Sequence, residues 1–205
     1  DVHECFEFGW KAFDIAERIG RAHELDYLCI RESLHRAGRL GEDQLLFLNL
    51  SPRTLDHTGF SAAALEGMVH DAGLQPSQIC FEITERSTAP IDIVEQEVAA
   101  LRALGFKIAL DDVGSGNAGL EMMRRLRVDY VKIDHSVMIG AMERGAGRAV
   151  LLAIIVFASE AGAVVIAEGI ETPEMLNMIQ ETNAGPFAVQ GMQGHMLGMP
   201  QKVLG

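Results

Sequence analysis

Short apolar runs and longer stretches with helical spacing alternate along the chain. The runs at Gln44–Leu50, Gln78–Thr84, Phe106–Leu110, Asp129–Ile133 and Ala163–Ala167 read as strands. Between them, Ala12–Gly38, Ser61–Ala72, Ile93–Leu104, Ala118–Leu126, Arg148–Ala161 and Pro173–Thr182 read as helices. Strands spaced by helices predict βα units and a parallel sheet. Thr172 is placed to cap the last helix, with Pro173 in its first turn. Gly73, Gly105 and Gly162 fall just past helical stretches, where a left-handed residue is wanted. No linker, low-complexity segment or repeat divides the pattern, which predicts a single domain over residues 1–205.

The longest apolar run, Ala149–Ala158, is half of the ~20 residues a membrane span needs, and Ser159, Glu160 and Gly162 interrupt it. It reads as a buried helix, so no membrane contact is expected. The opening Asp-Val-His-Glu has neither the basic region nor the apolar core of a secretory signal.

Composition narrows the partners. With 205 residues, 48% of them hydrophobic, the chain suits one globular domain with a substantial core. Its 17 Lys and Arg against 29 Asp and Glu give a net charge of -12, which disfavours a nucleic-acid polymer and favours cation capture. Cys5, Cys29 and Cys80 form no CxxC pair, so a reducing, cytoplasmic setting is expected.

The chemistry sits where the apolar runs end. Leu46-Phe47-Leu48 leads to Asn49, and Cys80-Phe81 leads to Glu82 with Glu85 beyond. Ile108-Ala109-Leu110 leads to Asp111-Asp112, Tyr130-Val131 to Lys132 and Asp134, and Val164–Ala167 to Glu168 and Glu171. The intervals, roughly 20–35 residues, are about one βα unit each. Parallel α/β folds, and βα barrels above all, carry their active sites on the edge where strands end. Any one of these carboxylates alone would read as a turn or a helix cap. Gathered on one edge, they would repel one another unless a cation offset the charge.

Carboxylates plus an amide oxygen suit Mg²⁺ or Mn²⁺ better than zinc or copper. The seven histidines are scattered, without HExxH spacing. Adjacent aspartates allow one carboxylate to bridge two ions, the arrangement that supports phosphodiester hydrolysis.

Phe81-Glu-Ile-Thr-Glu85, Ile108-Ala-Leu-Asp-Asp-Val-Gly-Ser-Gly116, Val131-Lys-Ile-Asp134 and Val165-Ile-Ala-Glu-Gly-Ile-Glu-Thr172 resemble, in order, the motifs of the EAL domains. Asn49-Leu-Ser51 and Gln193-Gly-His-Met-Leu-Gly-Met-Pro200 resemble further segments of that family. The resemblance implies a (β/α)8 TIM-barrel-like fold and a bacterial signalling phosphodiesterase that opens cyclic di-GMP to linear pGpG. It implies that Asn49, Glu82, Asp111, Asp112 and Glu168 hold two ions, Mg²⁺ or Mn²⁺. Lys132 would meet the attacking water or the scissile phosphate, with Asp111, Asp112 and Glu171 completing the catalytic group. Asn49 and Gln193 would also contact substrate, Glu85 would anchor the loop Val113–Gly119, and Asp134 would support the site from behind. A homodimer, and sensor or other signalling domains in the full-length protein, are further expectations of the resemblance.

The sequence also departs from the family. The signature Glu-Ala-Leu, whose Glu is a further metal ligand there, is absent, as is the Arg that follows it. Asp1–Trp10 resembles the hairpin before the signature and Lys11–Gly20 the helix after it, so the junction of residues 10 and 11 reads as a missing segment. We expect an intact mass about 2 kDa above 22.3 kDa, at about 110 Da per residue; a mass of 22.3 kDa would make the junction a true deletion that impairs catalysis. Val113, Asn117, Ala118, Gly119 and His195 replace residues common in the family. Gln190-Gly191 competes with Gln193-Gly194 for the closing motif, and the distance to Pro200 favours Gln193. Two other readings stand beside the phosphodiesterase: a degenerate EAL domain acting as a cyclic di-GMP receptor or protein-interaction module, and a barrel aldolase using Lys132 as a Schiff-base amine.

Overall fold

The computed structural model describes residues 12–13, 15–16, 18–38, 40–41, 43–86, 89–116, 118–143, 145–183 and 187–199. The junction of residues 10 and 11 lies outside them. The described elements run α1 (Ala22–Ala37), β1 (Leu46–Asn49), α2 (Pro52–Leu55), α3 (Ala62–Asp71), β2 (Ile79–Thr84), α4 (Ile91–Ala103) and β3 (Lys107–Val113). They continue as α5 (Gly119–Arg125), β4 (Tyr130–Ile133), α6 (His135–Met142), α7 (Ala146–Glu160), β5 (Val164–Ala167), α8 (Pro173–Thr182) and β6 (Gly191–Met192).

The strands form one sheet in the order β1-β2-β3-β4-β5-β6, every neighbouring pair parallel. Chain order and strand order coincide, as in a βα barrel, and the six strands trace an arc of one. The full eight expected from the resemblance are not reached among the described residues.

Strand alternation separates two faces. Phe81, Ile83, Ile108, Leu110, Val131, Ile133 and Val165 are fully buried and share a core with Leu65 and Val69 of α3, Leu101 of α4 and Ile155 of α7. Each such side chain contributes about 1.5–3 kcal/mol of apolar burial. The alternate positions form the other face: the register aligns Glu82 with Ala109, Thr84 with Asp111, and Lys132 with Ile166. Polar groups on that face follow from the same period-two pattern that fills the core.

All five expected strands are present. The expected Thr172 cap is also present: its hydroxyl accepts from the Met175 N–H at 3.3 Å. Several expectations need correction. The helix read over Ala12–Gly38 breaks at Gly20, which has a φ of 71°, and α1 begins at Ala22. Helices α2 and α6 were hidden because each follows a strand end too closely to show a helical period of its own. β6 is a two-residue strand, too short for alternation to reveal.

Candidate active site

The carboxyl-terminal edge of the sheet carries the candidate chemistry, and β3 shows how the chain builds it. In a regular strand, adjacent residues point to opposite faces, so Asp111 and Asp112 would be separated. Here the pairing of β3 with β4 shifts register between Leu110 and Val113, and Asp112 has a φ of 57°. This is bulge geometry, with a non-glycine residue held left-handed. The result re-aims the second aspartate: Asp111, Asp112 and Glu168 each offer a carboxylate oxygen within 4.8 Å of the others.

Lys132, at the third position of β4, enters the same space. Its Nζ lies 2.5 Å from Glu82 Oε1, 2.7 Å from Glu168 Oε1 and 3.0 Å from Asp111 Oδ1, with only 6% of the side chain exposed. Burial pulls the ammonium down, but the carboxylates of Asp111, Glu82 and Glu168 more than reverse this and leave it above the ordinary lysine range. Burial lifts the carboxyls of Glu82 and Glu168 despite Lys132. It also lifts Asp112, reinforced by the charges of Asp111 and Asp134. All four shifts are upward, and crowded negative charge contributes to each, beside burial for the carboxyls. Glu82, Asp111, Asp112 and Glu168 carry four negative charges against one ammonium when all are ionised.

The group fits added cations on a second ground. Asp111 Oδ1 is buried and makes no hydrogen bond, its one near neighbour being the Lys132 ammonium 3.0 Å away as an ion pair. A buried carboxylate oxygen left so is unfavourable unless an ion completes it. The donor set is all oxygen, which suits a hard divalent ion.

The remaining expected residues frame this group. Asn49 is the exposed last residue of β1, in register with Glu82. Gln193 is exposed just after β6; its N–H donates to the Ala167 carbonyl at 2.9 Å and its carbonyl accepts from the Ile170 N–H at 3.0 Å. Gln190 sits at the other end of β6, where its side chain accepts from the Val165 N–H at 2.7 Å. Of the two glutamines, Gln193 is therefore the one on the carboxylate edge. Glu171 is exposed on the loop between β5 and α8. Asp134 caps α6, its carboxylate accepting from the Ser136 N–H at 2.9 Å, and it lies close enough to push Asp112 up.

Glu85 is 3% exposed, and its carboxylate accepts from the Gly116 N–H and, at 3.4 Å, from the Ser115 hydroxyl. The loop closes against it so tightly that a Cβ on Gly119 would stand 2.1 Å from Glu85 Oε2. Two residues escaped the sequence reading. Arg86 donates to Ser115 Oγ at 3.0 Å and lies close enough to oppose the rise of Asp112. His135 Nδ1 lies 2.9 Å from the Gly169 carbonyl, tying the start of α6 to the segment after Glu168. Arg86 was legible as the neighbour of Glu85; His135 offered no signal beyond being one of several scattered histidines.

A family model described as the EAL domain matches residues 9–199. The chain belongs to the EAL family. The cyclic di-GMP phosphodiesterase PdeB of Shewanella oneidensis is 32% identical over 196 residues, covering 91% of this chain and 22% of that protein. The blue light- and temperature-regulated antirepressor BluF of Escherichia coli is 30% identical over 133 residues, covering 64% of this chain and 33% of that one. The fold matches Klebsiella pneumoniae BlrP1 in its manganese and cyclic di-GMP complex, with a TM-score of 0.74, 29% identity, and coverage of 84% of this chain and 43% of that one. The chain spans only 18–28% of the length of the first curated relatives it matches. Among the described residues, no helix of this EAL chain is long and apolar enough to cross a membrane.

Proposed function

We propose that this EAL chain hydrolyses cyclic di-GMP to pGpG, adding water across one phosphodiester P–O bond. The observation that carries the reading is the half-buried cluster of Glu82, Asp111, Asp112 and Glu168 around the buried Lys132 on one sheet edge. Its likeness to PdeB and to the BlrP1 complex supports the same substrate.

In this reading Asn49, Glu82, Asp111, Asp112 and Glu168 hold two divalent ions, Mg²⁺ or Mn²⁺. Bound there, such ions supply Lewis acidity and neutralise phosphate charge. Lys132 keeps its proton, so it serves as a hydrogen-bond donor that fixes a water or a phosphate oxygen rather than as a base. Glu171 accepts a hydrogen bond from the water side of the site, while Gln193 and the amide of Asn49 orient the substrate. Glu85 holds the loop after the aspartates in place and does not touch substrate.

The test is turnover of cyclic di-GMP with Mn²⁺ or Mg²⁺, then with EDTA, followed by separation of the products. Metal-dependent pGpG is the expected result. Nucleotide binding without product in either metal would select the receptor reading, which the absent signature tripeptide favours. The small share of each relative that this chain spans supports further signalling domains in the full protein. Exposed Ile139 and Met142 of α6 and Val150 and Leu152 of α7 offer apolar area that a second copy would cover in a homodimer.

A further inference from the structure

The opposite edge of the sheet has the opposite electrical character. A cavity of about 640 Å³ opens there, between the end of α4, the end of α5 and the first residues of β3, β4 and β5. Arg102, Lys107, Arg124, Arg125 and Arg127 line it, with Asp129 as the one acidic lining residue. Five of the chain's 17 Lys and Arg thus meet at one opening, on a molecule whose net charge is -12. Lys107 opens β3 and Asp111 lies four residues further along it, about 13 Å away at ~3.3 Å per residue, so the cavity is separate from the carboxylate cluster.

Not all of this charge is committed. Asp129 is taken up by Arg102 and by Lys107 at 3.5 Å, and Arg125 reaches Asp92 at 2.5 Å and Glu95. Arg124 pairs with Glu121 at 2.7 Å, but both side chains are more than half exposed, and such pairs exchange readily for a better anion. Arg127 forms no ion pair among the described residues and is exposed at the opening. The rest of the lining includes Met123, Val128, Tyr130 and Val164. The lining is thus mainly polar and cationic, and the volume falls in the usual range for a small-ligand site. Guanidinium groups match phosphate oxygens two at a time.

We propose that this cavity binds a small organic phosphate of the nucleoside phosphate class, its phosphates on Arg124 and Arg127 and its body against the Tyr130 side. The proposal does not depend on the phosphodiesterase reading. The test is calorimetric titration of the chain with ADP in EDTA, where the carboxylate cluster repels the anion, beside titrations with adenosine and of the variant Arg124→Gln/Arg127→Gln. The expected result is ADP binding that weakens at least tenfold in the variant, falls with added salt, and is absent for adenosine. Thermal melting of the variant should match the parent, since both positions are exposed. No ADP binding at millimolar concentration, equal binding of adenosine, or ADP binding unchanged by the two substitutions would overturn the proposal.

Discussion

Lys132 keeps a charge that burial alone would remove, and it does so because three carboxylates touch it. The converse holds for its partners, which are too many for one ammonium. Glu82→Ala and Asp111→Ala should each abolish metal-supported turnover of cyclic di-GMP; normal rates in both variants would show that the site is elsewhere. Glu168 allows a sharper test in EDTA. Its folded pKa is raised, so its contribution to stability is fully present below the unfolded carboxylate range and is lost as pH rises through the raised value. Glu168→Gln removes that loss. The variant should melt above the parent at pH 7 and level with it at about pH 4, and a lower melting point at pH 7 would mean that pairing with Lys132 outweighs burial. Each of these residues was legible from the sequence because each ends an apolar run. What was not legible was that Asp134 turns to cap α6, since an Asp serves as ligand and as cap with the same side chain.

At the scale of elements, β3 is the part that makes the site possible. The apolar run stops at Leu110, yet the strand continues through the aspartates to Val113, because the bulge lets it pair with β4 while both carboxylates turn inward. Sequence periodicity cannot show a break in its own phase, so the extension and the left-handed Asp112 emerge only from the structure. Glu85 then restrains the loop that leaves the strand. Glu85→Ala should lower turnover and cost about 1–3 kcal/mol of stability, by leaving the Gly116 N–H without its acceptor. Denaturant melts read the stability loss, and a variant with unchanged stability and turnover would remove Glu85 from the loop's support. Gly119→Ala should act on the same contact, because its Cβ collides with Glu85. Thr172→Ala, by contrast, should cost about 1 kcal/mol through lost capping, with turnover retained below the new melting point.

The whole molecule is electrically two-ended, with carboxylates at the ends of the strands and arginines near their beginnings. The net charge of -12 disguised the second feature, because Arg124, Arg125 and Arg127 lie at a helix end while Arg102 and Lys107 join them only through the fold. The parallel sheet was legible because each βα unit has its own local pattern; the gathering of side chains from different units was legible only as a recurrence at strand ends.

The coincidence of strand order and chain order has a consequence for synthesis. A nascent chain can lay each strand against the one just formed, with no need to leave a gap for a later insertion. Glu82, Asp111 and Asp112 leave the ribosome before Lys132, and Glu168 comes after it, so the emerging polypeptide carries most of the acidic cluster without its buried ammonium until the fourth strand docks. Translation itself thus sets the interval during which that half-built edge has Arg86 but not yet Lys132 to offset its charge.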